Sequence, residues 1–229
     1  MIYITLNQPR QLRIDSTSSC NARCLSCHRF LTDRRGEMPD DLLHQVLDDV
    51  SRWSIPLTEI VPVNYGELLL RQDWYAIMMK IADKLPRTQI VLPTNGFLLE
   101  RAVIQDLCKV RTLKIVNLSI NALFDDTYTQ FTGLPADNLH SMKERIILFH
   151  NLRPDIVIVA SMVFDPAYQT DLERDNFVEY WRPWALPAIL PAASCGRPDK
   201  KPLLNRTVPC RSIFEDFVVG YDGKLSSCC

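Results

Sequence analysis

The chain alternates short runs of β-branched and apolar residues with longer stretches in which apolar residues recur every three or four positions. Those two periods separate strands from helices. Gln11–Asp15 reads as a first strand. In Met38–Trp53 the residues Leu42, Leu43, Val46, Leu47 and Val50 share one helical face, with Asp40 or Asp41 expected as the N-cap. Glu59–Val63, Gln89–Leu92 and Lys114–Ile120 read as the next three strands, separated by helices over Trp74–Leu85 and Leu98–Val110. Leu139–His150 is expected to be helical. Ile156–Val163, an almost continuous apolar run, is expected to be a fifth strand buried on both faces. A helix over Leu172–Trp181 and a short sixth strand, Leu186–Leu190, complete the pattern.

Successive β-then-α units imply a parallel sheet with right-handed crossovers, and hence an α/β fold. Periodicity alone leaves open whether such a sheet closes into a barrel. In either case ligands gather at the carboxyl ends of the strands. Short polar segments fall at those ends: Ser16–Cys27, Asn64-Tyr65-Gly66-Glu67, Thr94-Asn95-Gly96 and Ser119-Ile120-Asn121. From Pro191 the character changes. Cys195-Gly196-Arg197-Pro198 and the residues to Pro202 read as a linker, and Phe217–Val219 with Leu225–Cys228 as a β-hairpin around Asp222-Gly223.

Composition narrows the picture. Of 229 residues, 47% are hydrophobic, enough for a sizeable core, and 26 basic residues nearly balance 27 acidic ones. No run of one sign supports a nucleic-acid footprint or a polybasic membrane patch. The start of the chain lacks the pattern of a signal peptide, and no stretch is long and apolar enough for a membrane span, so a soluble cytoplasmic protein is expected. Eight cysteines in such a chain point to metal binding or catalysis rather than disulfides. Cys108, in the apolar run Val103–Val110, is expected to be a small buried hydrophobe.

Three cysteines crowd into Cys20-Asn21-Ala22-Arg23-Cys24-Leu25-Ser26-Cys27, a C-x3-C-x2-C loop. That spacing lets three thiolates converge on one iron–sulfur cluster and leaves one iron of a four-iron cluster open for a ligand. The alternative is a structural zinc site on Cys20, Cys24, Cys27 and His28, although structural zinc sites usually pair two ligand sets.

A C-x3-C-x2-C loop after the first strand of a β/α chain resembles the radical S-adenosylmethionine superfamily. The resemblance implies a partial (β/α)6 barrel, a [4Fe–4S] cluster on Cys20, Cys24 and Cys27, and S-adenosylmethionine on its open iron. Tyr65, Gly66 and Glu67 resemble the family's Gly-Gly-Glu segment, which binds the methionine amino group, with Tyr65 in place of the first glycine. Thr94-Asn95-Gly96 resembles its Thr-Asn-Gly, and Ser119-Ile120-Asn121 its Ser-(Ile/Leu)-Asp. Thr94, Asn95, Ser119 and Asn121, together with Ser161, are therefore expected to approach the cofactor. Ser26 departs from the aromatic residue common at its position.

Residues 1–191 would form this core. Residues 192–229 resemble the opening of a twitch or SPASM extension, with Cys210, Cys228 and also Cys195 as ligands of an auxiliary iron–sulfur cluster. The Cys228-Cys229 ending is expected to cut that extension short. The implied activity is reductive cleavage of S-adenosylmethionine to a 5′-deoxyadenosyl radical that oxidises a small molecule such as a sugar or aminocyclitol. A peptide-modifying SPASM maturase and a non-catalytic iron–sulfur electron-transfer or sensor protein are the alternatives. A reducing partner such as flavodoxin or ferredoxin is implied as well.

Overall fold

The computed structural model describes residues 9–31, 35–192 and 215–226. Strands β1 (Gln11–Ile14), β2 (Glu59–Val61), β3 (Gln89–Thr94), β4 (Leu113–Ser119), β5 (Val157–Phe164) and β6 (Leu186–Pro191) alternate with helices. The helices are α1 (Asp40–Ser51), α2 (Trp74–Lys84), α3 (Arg101–Lys109), α4 (Asp125–Thr132), α5 (Ala136–His140), α6 (Met142–Leu152) and α7 (Asp171–Trp181). Neighbouring strands among β1–β6 pair in parallel and in chain order. The α/β class and the parallel sheet are as expected, and the arrangement is that of a TIM-like partial barrel. Among the described residues the sheet does not close, because β6 forms one edge and β8 the other.

The core is a continuous apolar layer between sheet and helices. Leu12, Ile60, Ile90, Leu92, Val116 and Ala160 from the strands meet Leu47, Ile81, Ile104, Ile146 and Phe177 from the helices. Burial of this kind stabilises the fold by roughly 25 cal/mol per Å² of apolar surface removed from water. Parallel pairing leaves both ends of each strand to long connections, so the functional segments collect at one rim.

Several boundaries differ from the sequence pattern. Helix α1 begins at Asp40, with the extended Pro39 before it and no side-chain cap. Asp40 and Asp41 instead sit in the first turn, where the helix dipole favours them. Helix α3 begins only at Arg101, because Thr94-Asn95-Gly96 continues into a turn closed by the Leu99 N–H on the Gly96 carbonyl (3.0 Å). The β4–β5 connection holds three helices where one was expected. Helix α4 carries Thr127, Thr129 and Thr132, β-branched residues that mask a helical pattern. The fifth strand is buried at Ile158 and from Ala160 to Met162, whereas Val157 stands exposed at its start. Cys108 is half-buried rather than buried, at the rim of the core.

Strands β7 (Asp216–Val219) and β8 (Leu225–Ser226) form the expected antiparallel hairpin, with Val219 opposite Leu225. The sequence pattern did not anticipate where it docks. β7 lies parallel beside β1, Gln11 opposite Asp216 and Ile14 opposite Val219, so the hairpin extends the main sheet. Phe217 stacks on Trp53 just past α1, with ring centroids 5.7 Å apart.

Candidate cofactor site

The loop Ser16–Cys27 leaves β1 and is fixed at three points. At its start, the buried Arg71 guanidinium donates to the carbonyls of Ser16 (2.7 Å) and Met38 (3.0 Å) and grips Asp73 with two bonds of 2.7 Å. In its middle, the N–H groups of Arg23 and Leu25 donate to the carbonyls of Thr132 (2.7 Å) and Phe131 (2.9 Å). Those carbonyls end α4, where a helix leaves acceptors unpaired. Gly133 makes the meeting possible. Its φ of 70° is left-handed, and a Cβ there would come within 3.2 Å of Arg23 Cβ. At the end of the loop, the Cys27 N–H closes a turn on the Cys24 carbonyl (3.0 Å).

Cys20, Cys24 and Cys27 are free, half-buried thiols that lie close enough to influence one another's ionisation. Burial pushes the Cys24 thiol up to about 12, and the neighbouring Cys27 and Cys20 push it further the same way. Cys20 is raised too, chiefly by burial. Three thiolates this close need compensating positive charge, which iron supplies; the donor set therefore fits a cluster. Among the described residues, no three His, Cys, Asp or Glu side chains are gathered into a single-ion site.

The second strand end meets this loop backbone to backbone. A Cβ on Gly66 would lie 2.2 Å from the Thr17 carbonyl oxygen and 2.7 Å from that of Ser19, so no larger residue fits. The Glu67 N–H donates to the Ser19 carbonyl (2.8 Å). The Glu67 side chain, 2% exposed, turns inward and accepts from the Thr94 hydroxyl (3.0 Å), the Asn95 N–H (2.8 Å) and the Leu69 N–H (3.4 Å). Those donors favour its charged form, yet burial outweighs them and raises its pKa to about 7. Glu67 thereby locks the second strand end to the third.

Asn95 carries the chain of contacts on to the cysteines. Its Nδ2 donates to Asn21 Oδ1 (2.9 Å) and approaches Cys20 Sγ at 3.9 Å, while its Oδ1 accepts from the Phe97 N–H (2.9 Å). The amide nitrogens of Asn21 and Asn64 are buried without a partner, two donors beside the loop suited to an acceptor-rich ligand.

The other expected residues are placed as follows. Tyr65 offers its N–H to Asp15 Oδ1 (3.0 Å). Ser119 is half-buried at the end of β4, and its carbonyl accepts from Asn121 Nδ2 (3.3 Å). Asn121 is left-handed, with φ 65°, and its Oδ1 accepts from the Val163 N–H (2.9 Å), so its amide spans β4 and β5. This double use suits an amide where the resembled pattern has Asp, which could not donate to Ser119. Ser161 is buried opposite Ser119, its hydroxyl committed to the Leu118 carbonyl (3.2 Å). Cys195, Cys210 and Cys228 lie outside the described residues.

Sequence reasoning missed Arg71, Asp15 and a buried link through Asn138. Asn138 Nδ2 donates to the Asn95 carbonyl (3.1 Å) and to the Tyr128 hydroxyl (2.5 Å), and Arg145 donates to Asn138 Oδ1 (2.5 Å). Only a polar residue inside an otherwise apolar run could have signalled it.

Fold and site together define a class: an α/β enzyme core whose candidate cofactor site lies at the strand ends. The chain belongs to the Radical SAM superfamily, whose family model matches residues 14–175. Members use a [4Fe–4S] cluster and S-adenosylmethionine. A protein of Methanosarcina acetivorans named "Probable GTP 3',8-cyclase" is 27% identical over 187 residues, covering 78% of this chain and 52% of that protein. The AdoMet-dependent heme synthase of Methanosarcina barkeri is 30% identical over 137 residues, 59% of this chain and 37% of its own length. The chain thus spans about half, or less, of the curated relatives it matches.

Among solved structures, Streptococcus suis SuiB bound to the precursor peptide SuiA superposes with a TM-score of 0.75 at 14% identity, over 98% of this chain and 60% of that one. BtrN in complex with AdoMet and 2-DOIA gives 0.58 at 15% identity, over 97% and 74%. These likenesses concern the fold. Among the described residues, no helix is long and apolar enough to cross a membrane.

Proposed function

We propose that this chain is the core of a radical enzyme that reductively cleaves S-adenosylmethionine and abstracts hydrogen from a small molecule. The single observation that carries this reading is the joining of the second and third strand ends to the thiol loop that leaves the first: Gly66 and Glu67 on Ser19, Glu67 on Thr94 and Asn95, Asn95 on Asn21 beside Cys20. When bound, the cluster supplies the electron and S-adenosylmethionine the carbon–sulfur bond that breaks, giving methionine and a 5′-deoxyadenosyl radical that takes a hydrogen atom from the substrate.

Cys20, Cys24 and Cys27 would hold three irons. The Asn21 and Asn64 amides would donate to the ligand's oxygens, and the backbone around Tyr65 and Gly66 would accept from its ammonium group. Glu67 would hold that segment in place, since its carboxylate accepts from donors of its own turn and of the third strand end. Ser119, Asn121 and Ser161 would set the far wall. The apolar sheet interior behind the rim would keep water from the reacting atoms.

A small-molecule substrate is supported by the names of the curated relatives, one of which specifies GTP. We read Cys210 and Cys228, with Cys195, as ligands of an auxiliary cluster, and flavodoxin or ferredoxin as the electron source. The Cys210–Cys228 spacing around the Asp222-Gly223 turn supports the extension.

The test is anaerobic reconstitution with iron, sulfide and dithionite, followed by chromatography for 5′-deoxyadenosine. The product is expected from the chain as given. Cys24→Ala should reduce it by at least about 100-fold while circular dichroism and unfolding temperature stay unchanged. Full activity in Cys24→Ala would break the ligand assignment. A loaded cluster that yields no 5′-deoxyadenosine would leave an electron-transfer protein instead.

A further inference from the structure

We propose that the cavity between the end of β1 and the β7–β8 hairpin is a recognition subsite for a small substrate bearing a protonated amine, with Asp15 as the carboxylate that receives it. This deepens the small-molecule reading above and rests on it.

The cavity measures about 310 Å³ and is lined by Asp15, Tyr65, Tyr221, Asp222, Lys224 and Leu225 among others. That volume suits a small molecule. None of the three thiols lines it, nor do Thr94, Asn95 or Ser119, so it is separate from the thiol loop. Tyr65 joins the two places, because the same segment docks on the loop through Gly66 and Glu67. A ligand seated here would therefore stand beside the proposed cofactor site.

Its chemistry follows from the lining groups. Asp15 is 3% exposed, held by the N–H groups of Tyr65 (3.0 Å) and Asn64. Burial raises its carboxyl to about 6, and the nearby Asp222 carboxylate adds to the rise. Two carboxylates facing one space repel each other and exclude an anionic ligand; an ammonium group between them relieves that cost and replaces the water Asp15 has lost. Lys224 offers an internal cation, pairing with Asp222 at 3.2 Å, but its side chain is 70% exposed and gains little by staying. Leu225, Val218 and the tyrosine rings provide apolar surface for the carbon skeleton.

The experiment measures binding of glucosamine, with glucose as the neutral counterpart, to the chain at pH 7 by saturation-transfer NMR and calorimetry. Glucosamine should bind at least about tenfold more tightly than glucose, a difference of roughly 1.4 kcal/mol. Asp222→Asn and Asp15→Asn should each erase most of that preference, and Lys224→Gln should tighten glucosamine roughly two- to fivefold by removing the competing cation. Asp222 lies on the exposed hairpin, so its variant keeps the test decisive should Asp15→Asn fail to fold. Equal binding of the two sugars, or a preference unchanged in Asp222→Asn, overturns the proposal. Formation of 5′-deoxyadenosine without substrate does not require this cavity. Its presence with no amine preference sinks the subsite alone; its absence with amine preference intact sinks the proposed function alone.

Discussion

Two buried carboxylates on one rim are used in opposite ways. Glu67 accepts inside the protein from Thr94, Asn95 and Leu69, and the first two of these tie the second strand end to the third. Asp15, fifty residues earlier in contact with Tyr65, takes backbone donors on one side and lines an open cavity on the other. Burial raises the pKa of both, so electrostatics alone does not tell them apart. Their partners do. A carboxylate enclosed by donors from its own turn and a neighbouring strand end is part of the frame, and one that borders a cavity beside a second carboxylate is placed to receive something from outside.

The comparison can be broken most forcefully at Gly66. Gly66→Ala drives a Cβ to within 2.2 Å of the Thr17 carbonyl, backbone that cannot swing aside. It should cost about 3 kcal/mol or more of stability in urea unfolding and abolish 5′-deoxyadenosine formation. Near-normal stability would mean that the β2 end and the thiol loop are not truly locked together.

A middle-sized effect separates the two carboxylates by pH. A carboxyl whose pKa is higher folded than unfolded holds a proton that the unfolded chain has released, so stability falls as pH rises through the interval between the two values. For Glu67 that interval runs from about 4.5 to about 7, and for Asp15 from about 3.8 to about 6. Glu67→Gln should flatten the upper part of the urea-midpoint profile, and Asp15→Asn the lower part. Glu67→Gln should also cost roughly 1–2 kcal/mol at pH 5, where the glutamine loses one of three donors, whereas Asp15→Asn should cost less. Identical profiles for the two variants would erase the distinction.

The smallest effect lies on the hairpin. Lys224→Gln removes an exposed ion pair with Asp222 and should change stability by less than about 0.5 kcal/mol, even while it alters amine binding. A large loss would make Lys224 structural.

The sequence pattern carried much of this. Six parallel strands were legible because each is an apolar run between longer helical stretches, and the thiol loop because three cysteines in eight positions have few other uses. Thr94-Asn95-Gly96 and Gly66 were found at the right strand ends. What stayed hidden depends on pairing across distance. Helix α4 is short and rich in threonine, so nothing in its pattern announces that its last carbonyls hold Arg23 and Leu25. Arg71 looks like a surface residue until Ser16 and Met38 are seen to converge on it. Glu67 was expected to face the ligand. Its local pattern does not reveal that Thr94 and Asn95, a strand away, donate to it.

The docking of β7 against β1 has a consequence for how the molecule is made. β1 leaves the ribosome before its outer partner, which follows only about 200 residues later. Until then the edge of β1 stands open. Once Val218 and Val219 are in register, the edge is shut and Asp15 is fixed by the Val219 carbonyl as well (2.9 Å). The order of synthesis therefore leaves one flank of the founding strand without a neighbour until the hairpin has been made and has come into register.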